Sequence, residues 1–121
     1  MSEETVTVEE TGTIVEQETP DPHVAQLEEL NKRAREHLAA NDWEPALDLY
    51  RQALALAEEA SDIHNKAEAL NNIASVYLAR KEWTQALETL EPARALLRET
   101  GDQEGEATTL NNIGSAYNGL G

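Results

Sequence analysis

Apolar residues recur every three or four positions through five consecutive stretches of the chain, and short polar breaks separate them. Val24, Leu27, Leu30, Ala34 and Leu38 form the first stripe, and Ala46, Leu47, Tyr50, Ala53, Leu54 and Ala57 the second. The third is Ala67, Leu70, Ile73, Ala74 and Tyr77, and the fourth Ala86, Leu87, Leu90, Ala93, Leu96 and Leu97. Leu110, Ile113 and Tyr117 make the fifth. That spacing puts each set on one face of an α-helix. It predicts helices over about His23–Ala40, Trp43–Ala60, Ile63–Arg80 and Trp83–Thr100, and a fifth from Gln103 onward. The breaks carry matching chemistry. Asp21, Asp42, Asp62 and Asp102 can cap the free amides of a helix start, Pro22 tolerates a first helical position, and Gly101 can close a helix in the left-handed conformation. Pro92 interrupts the fourth helix at a cost of about 3 kcal/mol, which predicts a kink near Ala86–Leu90 or a split.

The stripes repeat. Leu70-Asn71-Asn72-Ile73 returns forty residues later as Leu110-Asn111-Asn112-Ile113. The same shift sets Trp43 on Trp83, Ala46-Leu47 on Ala86-Leu87, Asp62 on Asp102 and Tyr77 on Tyr117, with a fainter copy at Leu30-Asn31. A fixed period of this length marks a stacked array of helical hairpins. The units are residues 21–60, 61–100 and 101–121, the last supplying only the first helix of its pair.

Composition narrows the class. The 121 residues carry a formal net charge of −15 and no cysteine, so disulfides and thiolate metal sites are excluded. No apolar run approaches the roughly 20 residues of a membrane span, and no secretory signal is visible; a cytoplasmic location is expected. The acidity disfavours phosphate backbones, so no nucleic-acid or membrane partner is expected, and a basic or zwitterionic one suits the field better. Residues 1–20 hold six Glu and no Lys or Arg, a composition expected to be a disordered acidic leader. No catalytic constellation, cofactor site or metal site emerges. His23, His37 and His64 are scattered, with no helical metal pair, no glycine-rich phosphate loop and no nucleophile elbow.

The paired helices, the two Trp-x-x-Ala-Leu segments and the two Leu-Asn-Asn-Ile segments resemble the tetratricopeptide repeat over about His23–Gly121. The forty-residue period is similar to the longer bacterial subtype and to the repeats of kinesin light chain. The resemblance implies an all-α, right-handed solenoid of about five antiparallel helices and two and a half repeats. The first unit departs from the pattern, since Arg33 and His37 replace the apolar and aromatic residues of its first helix; a polar outer face suits a terminal cap. The resemblance also implies that the first helices line a groove for a protein or peptide. The candidate groove residues are Asn31, Arg35, Glu68, Asn71, Asn72, Ser75, Asn111, Asn112 and Ser115, with Thr108 and Leu38 at equivalent points. An Asn amide offers both a donor and an acceptor to an extended backbone. The clamp that some family members use for C-terminal carboxylates does not carry over, because Asn31 and Asn71 stand where Lys is needed and Arg35 is alone. A scaffold for protein–protein interaction is therefore expected, with a regulatory segment of a larger bacterial signalling protein or enzyme (protease, kinase or transcription activator) as the alternative. The fifth helix lacks a following partner, which leaves part of its face for a homodimer.

Overall fold

The computed structural model describes residues 21–121; the expected acidic leader lies outside them. Five helices follow one another: α1 (Pro22–Ala39), α2 (Trp43–Glu59), α3 (Ile63–Ala79), α4 (Trp83–Thr100) and α5 (Gln103–Leu120). No strand occurs among the described residues. Each helix packs on the next, and α3 also touches α5. Connections this short force antiparallel neighbours, so the chain is an all-α stack of hairpins.

The turns keep a twenty-residue rhythm. Asn41, Ser61, Lys81 and Gly101 all have positive φ, at 64°, 54°, 62° and 77°. At each, the following amide reaches back five residues: Asp42 N to His37 O at 2.8 Å, Asp62 N to Ala57 O at 2.9 Å, Glu82 N to Tyr77 O at 2.8 Å and Asp102 N to Leu97 O at 2.9 Å. The left-handed residue itself bonds the carbonyl three residues back. This paired closure satisfies carbonyls that a helix end leaves free. Only Gly101 was expected in this conformation from its residue type. Ser61 and Lys81 adopt it at a cost of about 1–2 kcal/mol each, held there by the packing of the helices on either side.

Caps divide by unit. Asp62 accepts from Asn65 N and Asp102 from Gly105 N, at 3.1 and 2.9 Å. The expected caps at Asp21 and Asp42 do not form: both stand at the N-terminal position without a side-chain bond to the helix, and the Asp42 carboxylate lies instead 3.4 Å from His37 Nδ1. Of the kink or split expected at Pro92, the split does not occur. The fourth helix is continuous from Trp83 to Thr100. Pro92 and Glu88 are both exposed, so the Glu88 carbonyl that loses its amide partner lies on the solvent side.

Two apolar clusters hold the stack. One joins Ala34, Ala46, Leu47, Leu49, Tyr50, Ile73 and Val76; the other joins Ala74, Ala86, Leu90, Ile113 and Ala116. Tyr77 packs against both, and its hydroxyl accepts from Arg51 at 3.0 Å. Because α3 is covered by α2, α4 and α5, it buries Ala69 and Val76 as well as the expected Ala67, Ile73 and Ala74. Trp83 packs on the second cluster and lies against Gly119, where an added Cβ would clash with the indole ring. Ile113 is covered by this packing, whereas Leu110, Tyr117 and Leu120 of α5 are 42%, 58% and 52% exposed.

Candidate peptide groove

The first helices α1, α3 and α5 lie along one side of the stack, and hollows open between them. Val24, Leu27, Glu28, Asn31 and Arg35 of α1, with Asn65 and Glu68 of α3, enclose about 250 Å³. One unit on, a hollow of about 400 Å³ is lined by His64, Glu68, Asn71 and Asn72 of α3, by Leu97 of α4, and by Asp102, Glu104, Gly105 and Thr108 at the start of α5. Glu68 belongs to both. A shallower, more open hollow of about 680 Å³ continues over Ala107, Thr108, Leu110 and Asn111.

Of the nine residues singled out from the sequence, Asn31, Arg35, Glu68, Asn71, Asn72 and Asn111 line these hollows. Asn112, Ser75 and Ser115 line none of the three. Each serine donates to the carbonyl four residues back, Ser75 to Asn71 O at 3.1 Å and Ser115 to Asn111 O at 3.2 Å, so both hydroxyls are already engaged on their own helix.

Asn71 has an internal partner. Its Nδ2 donates to Thr109 Oγ1 at 2.8 Å, and the hydroxyl donates in turn to Gly105 O at 3.0 Å. Thr109 is fully buried, so this bond ties α3 to α5 beneath the hollow. An inward bond from one Asn of a pair to a neighbouring helix was the alternative expected from the sequence, but its buried partner Thr109 was not, since the apolar stripe counts a threonine as polar.

Each boundary between units pairs a histidine with the Asp at the start of the next first helix. His23 Nε2 lies 2.9 Å from Asp62 Oδ2, and His64 Nδ1 lies 3.5 Å from Asp102 Oδ2. Burial opposes the charge on Asp62, but bonds from the Asn65 side chain and backbone and from His23 outweigh it and hold its carboxyl below the ordinary value. The hollows are rich in carboxylates: Glu28, Glu68, Asp102 and Glu104 line them, against Arg35 and His64. Sequence reasoning passed over Glu28, His64 and Glu104, although the forty-residue shift already sets Glu28 on Glu68. No group of three or more His, Asp or Glu placed to hold a metal ion occurs among the described residues, and no described helix is long and apolar enough to cross a membrane.

Helical hairpins stacked side by side, with recurrent polar residues exposed along their first helices, define a helical-repeat scaffold. Residues 65–121 match the family model described as tetratricopeptide repeat, and the chain is a tetratricopeptide repeat protein. No curated protein matches it. Repeats of this family generally mediate protein–protein interaction and are in general non-catalytic.

Proposed function

We propose that the chain binds an extended peptide segment of a protein partner along α1, α3 and α5. The observation that carries this reading is the line of three hollows lined by positions that recur at the repeat period. Asn72 and Asn111 supply paired donors and acceptors for a peptide backbone, with Asn112 at the rim, while Asn71 holds the helices in register. A displayed peptide library selected on the protein tests this. The selected peptides should lose binding when Asn72, Asn111 and Asn112 are replaced by Ala together. Binding that survives the triple change would place the contact elsewhere. Asn71 is left out of that set because its loss would also disturb Thr109.

The exposed Leu110, Tyr117 and Leu120 favour a second role for α5, as a face for self-association or for docking within a larger regulatory protein of the signalling or enzyme type. Light scattering of the protein and of Tyr117→Glu separates these. A dimer that dissociates in the variant supports self-association, and a monomer in both removes it.

A further inference from the structure

We propose that the hollow between α1 and α3 receives a lysine or arginine side chain of the bound segment; this inference rests on the peptide-groove reading above. Glu28 and Glu68 stand at equivalent positions of consecutive first helices and line one volume of about 250 Å³. Arg35 is the one cation among its lining residues, so the hollow carries an excess negative charge. An ammonium or guanidinium group between the two carboxylates forms charge-assisted hydrogen bonds that a neutral side chain cannot.

A second, independent observation concerns an acceptor. Asn31 lines the same hollow, and its Oδ1 is buried without a hydrogen-bond partner. Buried acceptors are rarely left in that state. Shifting by one repeat shows what is missing. Asn71 is the equivalent amide, and Thr109 meets it from α5. Ala69 holds the position equivalent to Thr109 and offers no hydroxyl. The second unit completes its amide internally; the first leaves an acceptor for a donor from outside.

The core behind the first helices differs between the units as well. Tyr50 of α2 is 2% exposed, and Leu90 is its equivalent in α4. The Tyr50 hydroxyl makes no hydrogen bond among the described residues. Burial raises its pKa, Arg35 lowers it and Glu68 raises it, so the phenol sits within the field of both lining charges. An ammonium carries three donors, which Glu28, Glu68 and Asn31 can accept. Arg35 is then free to donate to a carbonyl of the bound backbone. The neighbouring hollow, with Glu68, Asp102 and Glu104 against His64, suits a second cation. Packed helices lie about 8–10 Å apart and an extended chain advances about 3.3 Å per residue, so the two cations fall roughly three residues apart.

Fluorescence anisotropy of the full chain with labelled peptides of repeating Lys-Gly-Ser, Gln-Gly-Ser and Glu-Gly-Ser triplets tests the inference. The lysine peptide should bind about tenfold more tightly than the glutamine one, with the glutamate peptide weakest. Glu28→Gln and Glu68→Gln should each weaken the lysine peptide about fivefold, while Glu59→Gln, exposed at the end of α2, changes nothing. Ala69→Thr gives the Asn31 amide its missing partner, so it should raise the melting temperature and still weaken the lysine peptide, a loss that unfolding cannot produce. Equal binding of lysine and glutamine peptides, abolished for both by the Asn72, Asn111 and Asn112 replacements, overturns the cation site and leaves the groove standing. Lysine-peptide binding that ignores Glu68→Gln, or falls as far with Glu59→Gln, overturns it as unspecific attraction. If none of the three peptides binds, the cation site falls together with the groove.

Discussion

Between α1 and α3 an asparagine amide stands where the opposite helix offers an alanine; between α3 and α5 the equivalent amide is met by a buried threonine. The turns and the spacing of the helices are alike in the two regions. The difference shows that one scaffold position can serve two ends. Where the partner residue is polar, the asparagine welds neighbouring units together. Where it is a methyl group, the same asparagine is left as an unsatisfied acceptor on the wall of a hollow. Tyr50 and Leu90 repeat the contrast in the two core clusters: the first unit keeps a hydroxyl that the second replaces with hydrocarbon.

The comparison can be broken most forcefully in the core. Leu90 is fully buried, and Leu90→Ala should cost about 2–5 kcal/mol, read from urea unfolding. A cost under about 1 kcal/mol would show that the second cluster does not support the stack. Next in size, Thr109→Ala turns the second unit into a copy of the first by leaving the Asn71 amide without its partner. A loss of about 1–3 kcal/mol is expected, and an unchanged midpoint would mean that water serves the amide equally well. Gly119→Ala probes the contact between Trp83 of the second unit and α5. Alanine gains about 1 kcal/mol of helix propensity, but overpacking the Trp83 ring costs about 1–3 kcal/mol. The net effect should be a lowered melting temperature with an altered tryptophan emission; a raised one would show that Trp83 moves aside freely.

The smallest effect concerns acid. The Asp62 carboxyl is held below its ordinary value of 3.8 in the folded chain, so the unfolded chain takes up the proton more readily. The resulting stabilisation is present above that value and is lost as pH falls through the folded pKa. Urea midpoints of the protein should therefore drop below about pH 4 more than those of Asp62→Asn. Parallel pH profiles for the two would remove the Asp62 network as a source of acid sensitivity.

Much of the fold was legible because it is written more than once. The forty-residue echo of Leu-Asn-Asn-Ile and Trp-x-x-Ala-Leu marks the helix pairs without any contact being known. What stayed hidden depends on which neighbour a residue meets. A single apolar stripe cannot reveal that α3 is covered from several sides, so Ala69 and Val76 escape it. The left-handed turns at Ser61 and Lys81 carry no residue signature, since tertiary packing imposes them against intrinsic preference. The candidate groove was partly legible through its recurring asparagines. Only the partner on the next helix separates Asn71, which is committed inward, from Asn31, which is not. Glu28 could have been found by asking what Glu68 is one period earlier, whereas Thr109 aligns with Ala69 and carries no such signal.

The recurrence of the left-handed turn at Asn41, Ser61, Lys81 and Gly101 bears on how such a chain can be lengthened. Every junction closes with the same pair of backbone bonds, and three of the four do so without glycine. A duplicated block of forty residues therefore meets compatible geometry at both of its ends, whatever side chains it brings. Growth of the array by tandem duplication preserves the phase of all five helices, and each new copy can afterwards exchange a threonine for an alanine, or a leucine for a tyrosine, without disturbing the frame that carries it.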